Sequence, residues 1–297
     1  MTDFVVTYVD GNDPEWFRGY SMMCSKHGRI VNSSVERYRD WGFLRYVLRG
    51  VASFMPWIRN CYLVVERQSQ VPKWVNRDAV NVITHDMIIP EEHRPTYNST
   101  TIELFLCRIP GLANQFIYAN DDMIPIGPLS EDDFYDNGKP RLKVITAHYH
   151  DGMNLYRHHL YNGEALARAV LELPENGNIY TKTGHNLNPM LLSTWDVLWE
   201  KGRQRLEQAC SPFRFLGNIN QDVCSYYQIL SGNYTESERR TAYKEMDDMR
   251  SLTKFIDETD VQLICINDNG SDEFEEDKKQ VLSALERKIP DKSKYEA

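Results

Sequence analysis

Three short apolar runs, far apart along the chain, each end in a cluster of Asp and Asn. Residues 4–9 run into Asp10-Gly-Asn-Asp-Pro14, residues 115–119 into Asn120-Asp-Asp-Met123, and residues 261–266 into Asn267-Asp-Asn-Gly270. Apolar, β-branched runs bounded by turn formers read as strands. Strands that deliver polar side chains to their carboxyl ends point to an open α/β sheet, which binds ligands along that edge. The intervening chain fits. Leu44, Val47, Leu48 and Val51 recur at helical spacing within 40–54, and Pro56 ends that stretch. Residues 61–65 and 80–84 are continuous apolar runs suited to buried parallel strands, with a short helical turn expected at 72–75. Further helices are expected at 99–107, 164–173, 189–208 and 222–230, and a last one carries Val281, Leu282, Leu285 and Ile289 on one stripe. The charge-rich stretch 236–250 reads as a solvated face. The fold class is therefore α/β, a mostly parallel sheet flanked by helices.

Composition narrows the function. The chain has 297 residues, 41% hydrophobic and 26% charged, which excludes disordered and fibrous classes and supplies a core without disulfides. Acidic residues number 43 against 34 Lys plus Arg, a net charge of −9 that argues against a nonspecific grip on nucleic acid or anionic lipid. A small anionic substrate stays open, because Arg29, Arg37, Arg39, Arg45, Arg49 and Arg59 gather positive charge early in the chain. The six cysteines show no CxxC spacing, and several lie in apolar runs, so they read as buried free thiols. The start of the sequence lacks a secretory pattern, and no apolar run approaches the roughly 20 residues that span a bilayer. A soluble chain in the cytoplasm, where thiols stay reduced, is the expectation.

The acidic tips have two readings. Asx residues make turns after strands; Asp and Asn oxygens also suit Mg²⁺ or Mn²⁺, ions that bridge carboxylates to a substrate's phosphates. For a single tip the turn is the simpler reading. For the adjacent pair Asp121 and Asp122 the balance reverses, since neighbouring carboxylates repel and a cation relieves the cost. His148, His150, His158 and His159 lack the flanking ligands of a zinc site and read as surface or substrate-contact groups. His185, in Thr-Gly-His-Asn-Leu-Asn-Pro immediately before an expected helix, can serve as a general base or as a helix cap. No P-loop, GxGxxG, GxSxG or HExxH occurs, which removes the commonest ATPase, dehydrogenase, serine-hydrolase and metalloprotease readings. Spacing alone reaches a metal-assisted enzyme acting on a phosphorylated or nucleotide-linked substrate.

Several blocks in order carry a resemblance that none carries alone. Val5-Val-Thr-Tyr-Val-Asp-Gly-Asn-Asp-Pro-Glu-Trp16 resembles the opening block of the Stealth family of sugar-phosphate transferases. Arg39-Asp-Trp-Gly-Phe-Leu-Arg45, Pro95-Thr-Tyr-Asn-Ser-Thr-Thr-Ile-Glu103 and Phe116-Ile-Tyr-Ala-Asn-Asp-Asp122 resemble its long second block, Gly184-His185 its third, and Cys265-Ile-Asn-Asp268 its fourth. Trp41 and Phe43 stand where the family pattern has Asn and Glu.

The resemblance implies a nucleotide-diphosphosugar transferase-like (GT-A-like) fold with inserted helical segments. It implies one catalytic domain over 1–297: a nucleotide-sugar core of about 1–127 plus 255–270, an acceptor or insert region of about 128–254, and a C-terminal helix at 275–290. The implied activity moves a hexose 1-phosphate from a UDP-sugar to a hydroxyl of a growing cell-surface polysaccharide, on a lipid-linked or oligosaccharide acceptor, and releases UMP. A lipid-linked acceptor invites peripheral contact at the inner face of the membrane.

In that frame Asp121 and Asp122, with Asn267 and Asp268, are the expected ligands of Mg²⁺ or Mn²⁺. His185 is the expected base, and Arg39, Arg45 and Arg214 are candidates for phosphate oxygens. For Arg214 a surface arginine before a glycine turn is an equal reading. Asp10, Gly11, Asn12 and Asp13 form the tip that receives the nucleotide or its sugar, and Asn98, Ser99, Glu103 and Asn120 line the cleft. Two other classes fit the same residues: a metal-dependent glycosyltransferase that releases UDP, and a noncatalytic sugar-nucleotide binding or assembly protein.

Overall fold

In a computed structural model of the chain, residues 1–31, 38–150, 152–175 and 177–297 are described. Arg37 lies outside them. The chain divides into two compact units. The first comprises Met1–Asp3, Ile83–Tyr118 and Glu131–Glu238 and is called here the histidine unit; the second comprises Phe4–Val82, Ala119–Ser130 and Arg239–Ala297 and is called the carboxylate unit. Residues 83–118 thus fall with His185, whereas 239–254 fall with the strand-tip carboxylates.

In chain order the elements begin β1 (Thr2–Thr7), α1 (Pro14–Lys26), α2 (Phe43–Phe54), β2 (Ile58–Val65), β3 (Asn81–Thr84), α3 (His85–Ile88), α4 (Ser99–Leu104), β4 (Gln115–Asn120) and β5 (Met123–Pro125). They continue with β6 (Tyr135–Asp136), β7 (Lys139–Leu142), β8 (Ile145–His148), α5 (Leu155–Val170), β9 (Ile179–Lys182), β10 (Asn188–Leu191), α6 (Leu192–Ala209) and α7 (Asp222–Leu230). The chain closes with β11 (Thr235–Glu236), β12 (Thr241–Glu245), α8 (Met249–Glu258), β13 (Leu263–Asn267) and α9 (Phe274–Lys288). This is the expected α/β class.

In the carboxylate unit β2 lies between β1 and β3, and Phe4, Val5, Val6 and 61–65 are buried, as continuous apolar strands require. The helix α1, absent from the sequence reading, is capped by Asp13 and begins at Pro14, a residue whose missing N–H costs nothing in the first turn; it buries Trp16, Tyr20 and Cys24. Helix α2 buries its Leu44, Val47, Leu48 and Val51 stripe. It passes so close to β5 that a Cβ at Gly50 would meet the Pro125 carbonyl oxygen at 2.2 Å, so only glycine fits. Strand β13 pairs antiparallel with β5 and parallel with β12. That pairing corrects the expectation for 236–250: Thr241–Glu245 is half-buried strand, held by the ladder to β13, rather than wholly a solvated face. Residues 72–75 form the expected short turn, with the Val75 N–H bonded to the Pro72 carbonyl oxygen at 3.0 Å.

In the histidine unit β10 pairs antiparallel with β4, Asn188 opposite Tyr118 and Leu191 opposite Gln115. The expected helix at 189–208 therefore begins at Leu192. Asn188–Leu191 is a wholly buried strand, because its four residues have backbone partners in β4 and side chains covered on both faces. Helix α5 starts earlier than expected, capped by Asn154. It takes His158 and His159 out of the predicted surface set: both are buried, and the His159 ring is bonded to the Phe215 carbonyl oxygen at 2.9 Å. His148 and His150 are exposed as anticipated. Gly163 of α5 packs against the Tyr226 ring of α7, leaving no room for a larger residue without displacement. The six cysteines are free thiols, and among the described residues no helix is long and apolar enough to cross a membrane.

Candidate active site

The three strand tips are chemically different. At the first, the Asp10 carboxylate accepts from the Asn12 N–H at 2.9 Å, a local Asx turn. Buried Gln70, unremarked in the sequence, accepts from the Asp10 N–H at 2.7 Å and donates to the Asp13 carboxylate at 2.7 Å. Burial alone would raise the Asp13 pKa; bonds from Gln70 and from the Glu15 and Trp16 N–H groups hold it below the usual range instead. Gly11 is required here, since its N–H reaches the Tyr38 carbonyl at 3.0 Å and a Cβ would lie 2.3 Å from that oxygen. A cavity of about 270 Å³ opens beside this tip, lined among others by Gly11, Asn12, Trp16, Phe17, Tyr38 and Arg39.

The third tip is also internally satisfied. Asp268 Oδ2 accepts from Trp41 Nε1 at 2.9 Å and faces Arg39 Nε at 3.2 Å, while Oδ1 accepts from the Gly270 N–H at 2.8 Å. Arg39 also donates to the Ser271 carbonyl and lies over the Phe274 ring. Trp41, the departure from the family pattern, thus still supplies a polar group, its indole N–H. Asn267 donates to the Asp268 carbonyl oxygen at 3.3 Å.

The second tip crowds like charges together. Asp121 and Asp122 follow the buried strand β4, and burial, then the neighbouring charges of Asp122 and Asp40, push the Asp121 carboxyl well above its ordinary range. Tyr8, whose hydroxyl donates to Asp40, is raised by burial and then by Asp40, Asp10 and Asp121. The Cys265 thiol, 1% exposed, donates to Asp122 Oδ2 at 3.5 Å; burial and the adjacent Asp122 push its pKa up and keep it protonated. The Ile266 N–H fixes the end of β13 to the Asp122 carbonyl oxygen. The oxygen donors available here are those a hard divalent cation takes, and the raised Asp121 carboxyl is the kind of cost such a charge relieves. Tyr8, Asp40 and Cys265 were not singled out by sequence, although Asp40 stands in the quoted Arg39-Asp-Trp block.

Arg45 is not brought to these tips. It lies on α2, 3.6 Å from Glu296 and over the Trp74 ring. Its neighbour Arg49, buried, makes ion pairs of 2.8 Å with Glu286 and 2.9 Å with Glu296. These arginines anchor the C-terminal segment.

The histidine unit gathers a second set. His185 is half-buried on the turn that leads from β9 to β10, not at a helix start, so the capping reading is withdrawn. The edge of the Tyr156 ring meets it, with centroids 6.1 Å apart at 82°. Two buried carboxyls act on it electrostatically. Glu103, on α4, accepts from the Gln221 N–H at 3.2 Å and from the Tyr118 hydroxyl at 3.4 Å. Burial raises its pKa against the opposing influence of Arg214 and His185. Asp222, at the start of α7 and missed in the sequence reading, is likewise raised by burial while Thr183, Asn220 and His185 pull it down. Arg214 donates to the Ser99 hydroxyl at 2.7 Å. Asn98 is wholly buried and caps α4, bonding Thr100, Thr101, Ser211 and Asn218, so its side chain holds the fold around Glu103. Asn120 ends β4.

The arrangement defines a chain with a cation-fitting carboxylate tip and a histidine that interacts electrostatically with buried carboxyls. Stealth protein conserved region 2 matches residues 37–142. Over 99% of this chain and 98% of the other, it is 30% identical to the receptor polysaccharide phosphotransferase WefC of Streptococcus oralis. It is also 30% identical, at the same coverage, to the capsular polysaccharide phosphotransferase WcwK of Streptococcus pneumoniae. Among solved structures it is similar to the galactosyltransferase LgtC in complex with donor and acceptor sugar analogues, with 10% identity, 94% of this chain and 95% of that chain covered, and a TM-score of 0.44. The chain belongs to the Stealth family.

Proposed function

We propose that this protein is a polysaccharide phosphotransferase that moves a hexose 1-phosphate from a UDP-sugar to a hydroxyl of a growing cell-surface glycan. The observation that supports this most is the pairing of two chemistries in one family member: crowded carboxylates at Asp121 and Asp122, and His185 beside Glu103 and Asp222. The acceptor oxygen attacks the sugar-proximal phosphorus, a new P–O bond forms, the bond to the bridging oxygen breaks, and UMP leaves. His185 takes the hydroxyl proton as general base. The buried carboxyls favour the imidazolium that results, and Arg214, positioned by Ser99, meets phosphate charge.

Asp121 and Asp122, with Asn267 beside them, would hold Mg²⁺ or Mn²⁺, which supplies charge neutralisation for a diphosphate. Asp268 would act from behind this group, since Arg39 and Trp41 already occupy its carboxylate. Asp10 and Asp13 shape the first tip, and Gly11, Asn12 and the aromatic walls of the adjoining cavity offer flat surfaces to a nucleobase. The acceptor is read as a lipid-linked or oligosaccharide repeat unit, with the protein in the cytoplasm at the inner face of the membrane. Incubating the chain with a panel of UDP-sugars, Mg²⁺ and glycan acceptors, followed by mass spectrometry, tests the reading. UMP together with a phosphodiester-linked glycan is expected; UDP with a glycosidic product contradicts it, as does the absence of turnover for every donor with an acceptor taken from the producing cell.

A further inference from the structure

Asp222 is 1% exposed, and a carboxylate so buried is costly unless hydrogen bonds meet it. Thr183 Oγ1 donates to its Oδ1 at 2.6 Å and Asn220 Nδ2 to its Oδ2 at 2.7 Å. Thr183, itself buried, directly follows β9 and stands two residues before His185. Gly184 between them has φ +80°, a conformation that reverses the chain and favours glycine. A carboxylate on the first turn of α7 therefore grips the turn that presents the histidine, while Tyr156 from α5 borders the ring on another side. Asn220, which also binds Asp222, precedes Gln221, whose N–H binds Glu103. One short segment thus ties both buried carboxyls into place.

We propose that Asp222, acting through Thr183, is a positioning residue that holds the His185 imidazole in the orientation a general base needs. The proposal rests on the reading of His185 as that base. Asp222, 1% exposed, is placed to act through its neighbours rather than on a ligand. It fixes the turn, and its field adds to that of Glu103 in favouring the protonated ring after proton transfer, as a buried acid does behind other catalytic histidines. A misdirected ring loses the alignment on which proton abstraction depends, a displacement of about 1 Å costing roughly 100-fold.

The full chain, labelled in its histidine rings, decides the matter with Thr183→Val, Thr183→Ser, Asp222→Asn and His185→Ala. NMR relaxation reads the order of the His185 ring, assigned by its loss in His185→Ala, and UMP release with the best UDP-sugar of the panel reads turnover. Thr183→Val is expected to loosen the ring and lower kcat roughly 100-fold with KM for the donor unchanged. Thr183→Ser keeps the hydroxyl and restores both. Asp222→Asn should follow Thr183→Val; should it not fold, Thr183→Val still decides, because it leaves Asp222 bonded to Asn220. An ordered ring and wild-type kcat in Thr183→Val, with only a lower Tm, overturn the proposal. Wild-type turnover in His185→Ala instead overturns the base assignment, so the two failures are distinguishable.

Discussion

Asp121 and Glu103 are both carboxyls raised by burial, yet their surroundings are opposite in kind. Asp121 sits against further negative charge, Asp122 and Asp40. Glu103 is met by an amide N–H, a phenol, Arg214 and His185, which favour its ionised form, against one like charge, Asp222. Like-charge crowding favours the protonated carboxyl, a cost that a bound cation would relieve. Donors around Glu103 offset only part of the cost of its burial, and His185 is among the charges that act on it. In the proposed function Asp121 serves metal chemistry and Glu103 serves proton chemistry.

The largest effect should come from breaking the first half. Asp122→Ala, or Asp121→Asn, is expected to lower turnover about a thousandfold or more and to abolish Mg²⁺ or Mn²⁺ binding measured by calorimetry. Asp121→Asn should at the same time raise the Tm of the cation-free chain at neutral pH. Because the folded pKa is raised, the protonated carboxyl supports the fold at low pH, and that support is lost as pH rises through the folded value. Retained metal binding in Asp121→Asn would break the assignment.

His185→Ala should lower kcat about 100-fold to 10,000-fold while binding of UDP, followed by calorimetry, survives. Glu103→Gln separates field from shape. Its kcat should fall about tenfold, and its stability relative to the parent should improve as pH rises above the ordinary glutamate value of 4.5, since the parent's raised carboxyl is then forced to ionise. A Tm difference that stays flat with pH would mean that Glu103 is not strained by burial. Smaller still, Trp41→Phe removes the indole bond to Asp268 and should cost about 1.5–3 kcal/mol in urea unfolding. Asp13→Ala, which loses the α1 cap, should cost about 1 kcal/mol.

Much of the carboxylate unit was legible because its strands are continuous apolar runs that stop at acidic residues. What the residues could not show is that the three tips differ. The Asp10 carboxylate is bonded within its own turn, while Asp13 is met by Gln70 and Asp268 by Trp41 and Arg39, partners distant in sequence. Helix α1 had its signals in Asp13, Pro14 and Glu15 but was overshadowed by the turn they also make. Residues 189–191 fall inside the expected helix because a short apolar run carries no period of its own; only the pairing of the strand with β4 settles it. Glu103 was named from the family pattern, whereas Asp222 carried no local signal beyond an acidic residue at a helix start.

The central claim is transfer of phosphorus rather than of sugar alone. A UDP-sugar radiolabelled at its sugar-proximal phosphorus, given to the full chain with Mg²⁺ and acceptor, tests it most directly. The account predicts the label in the glycan, resistant to phosphatase until the diester is cleaved, with unlabelled UMP released. Label recovered in UDP, with an unlabelled glycan, would contradict it.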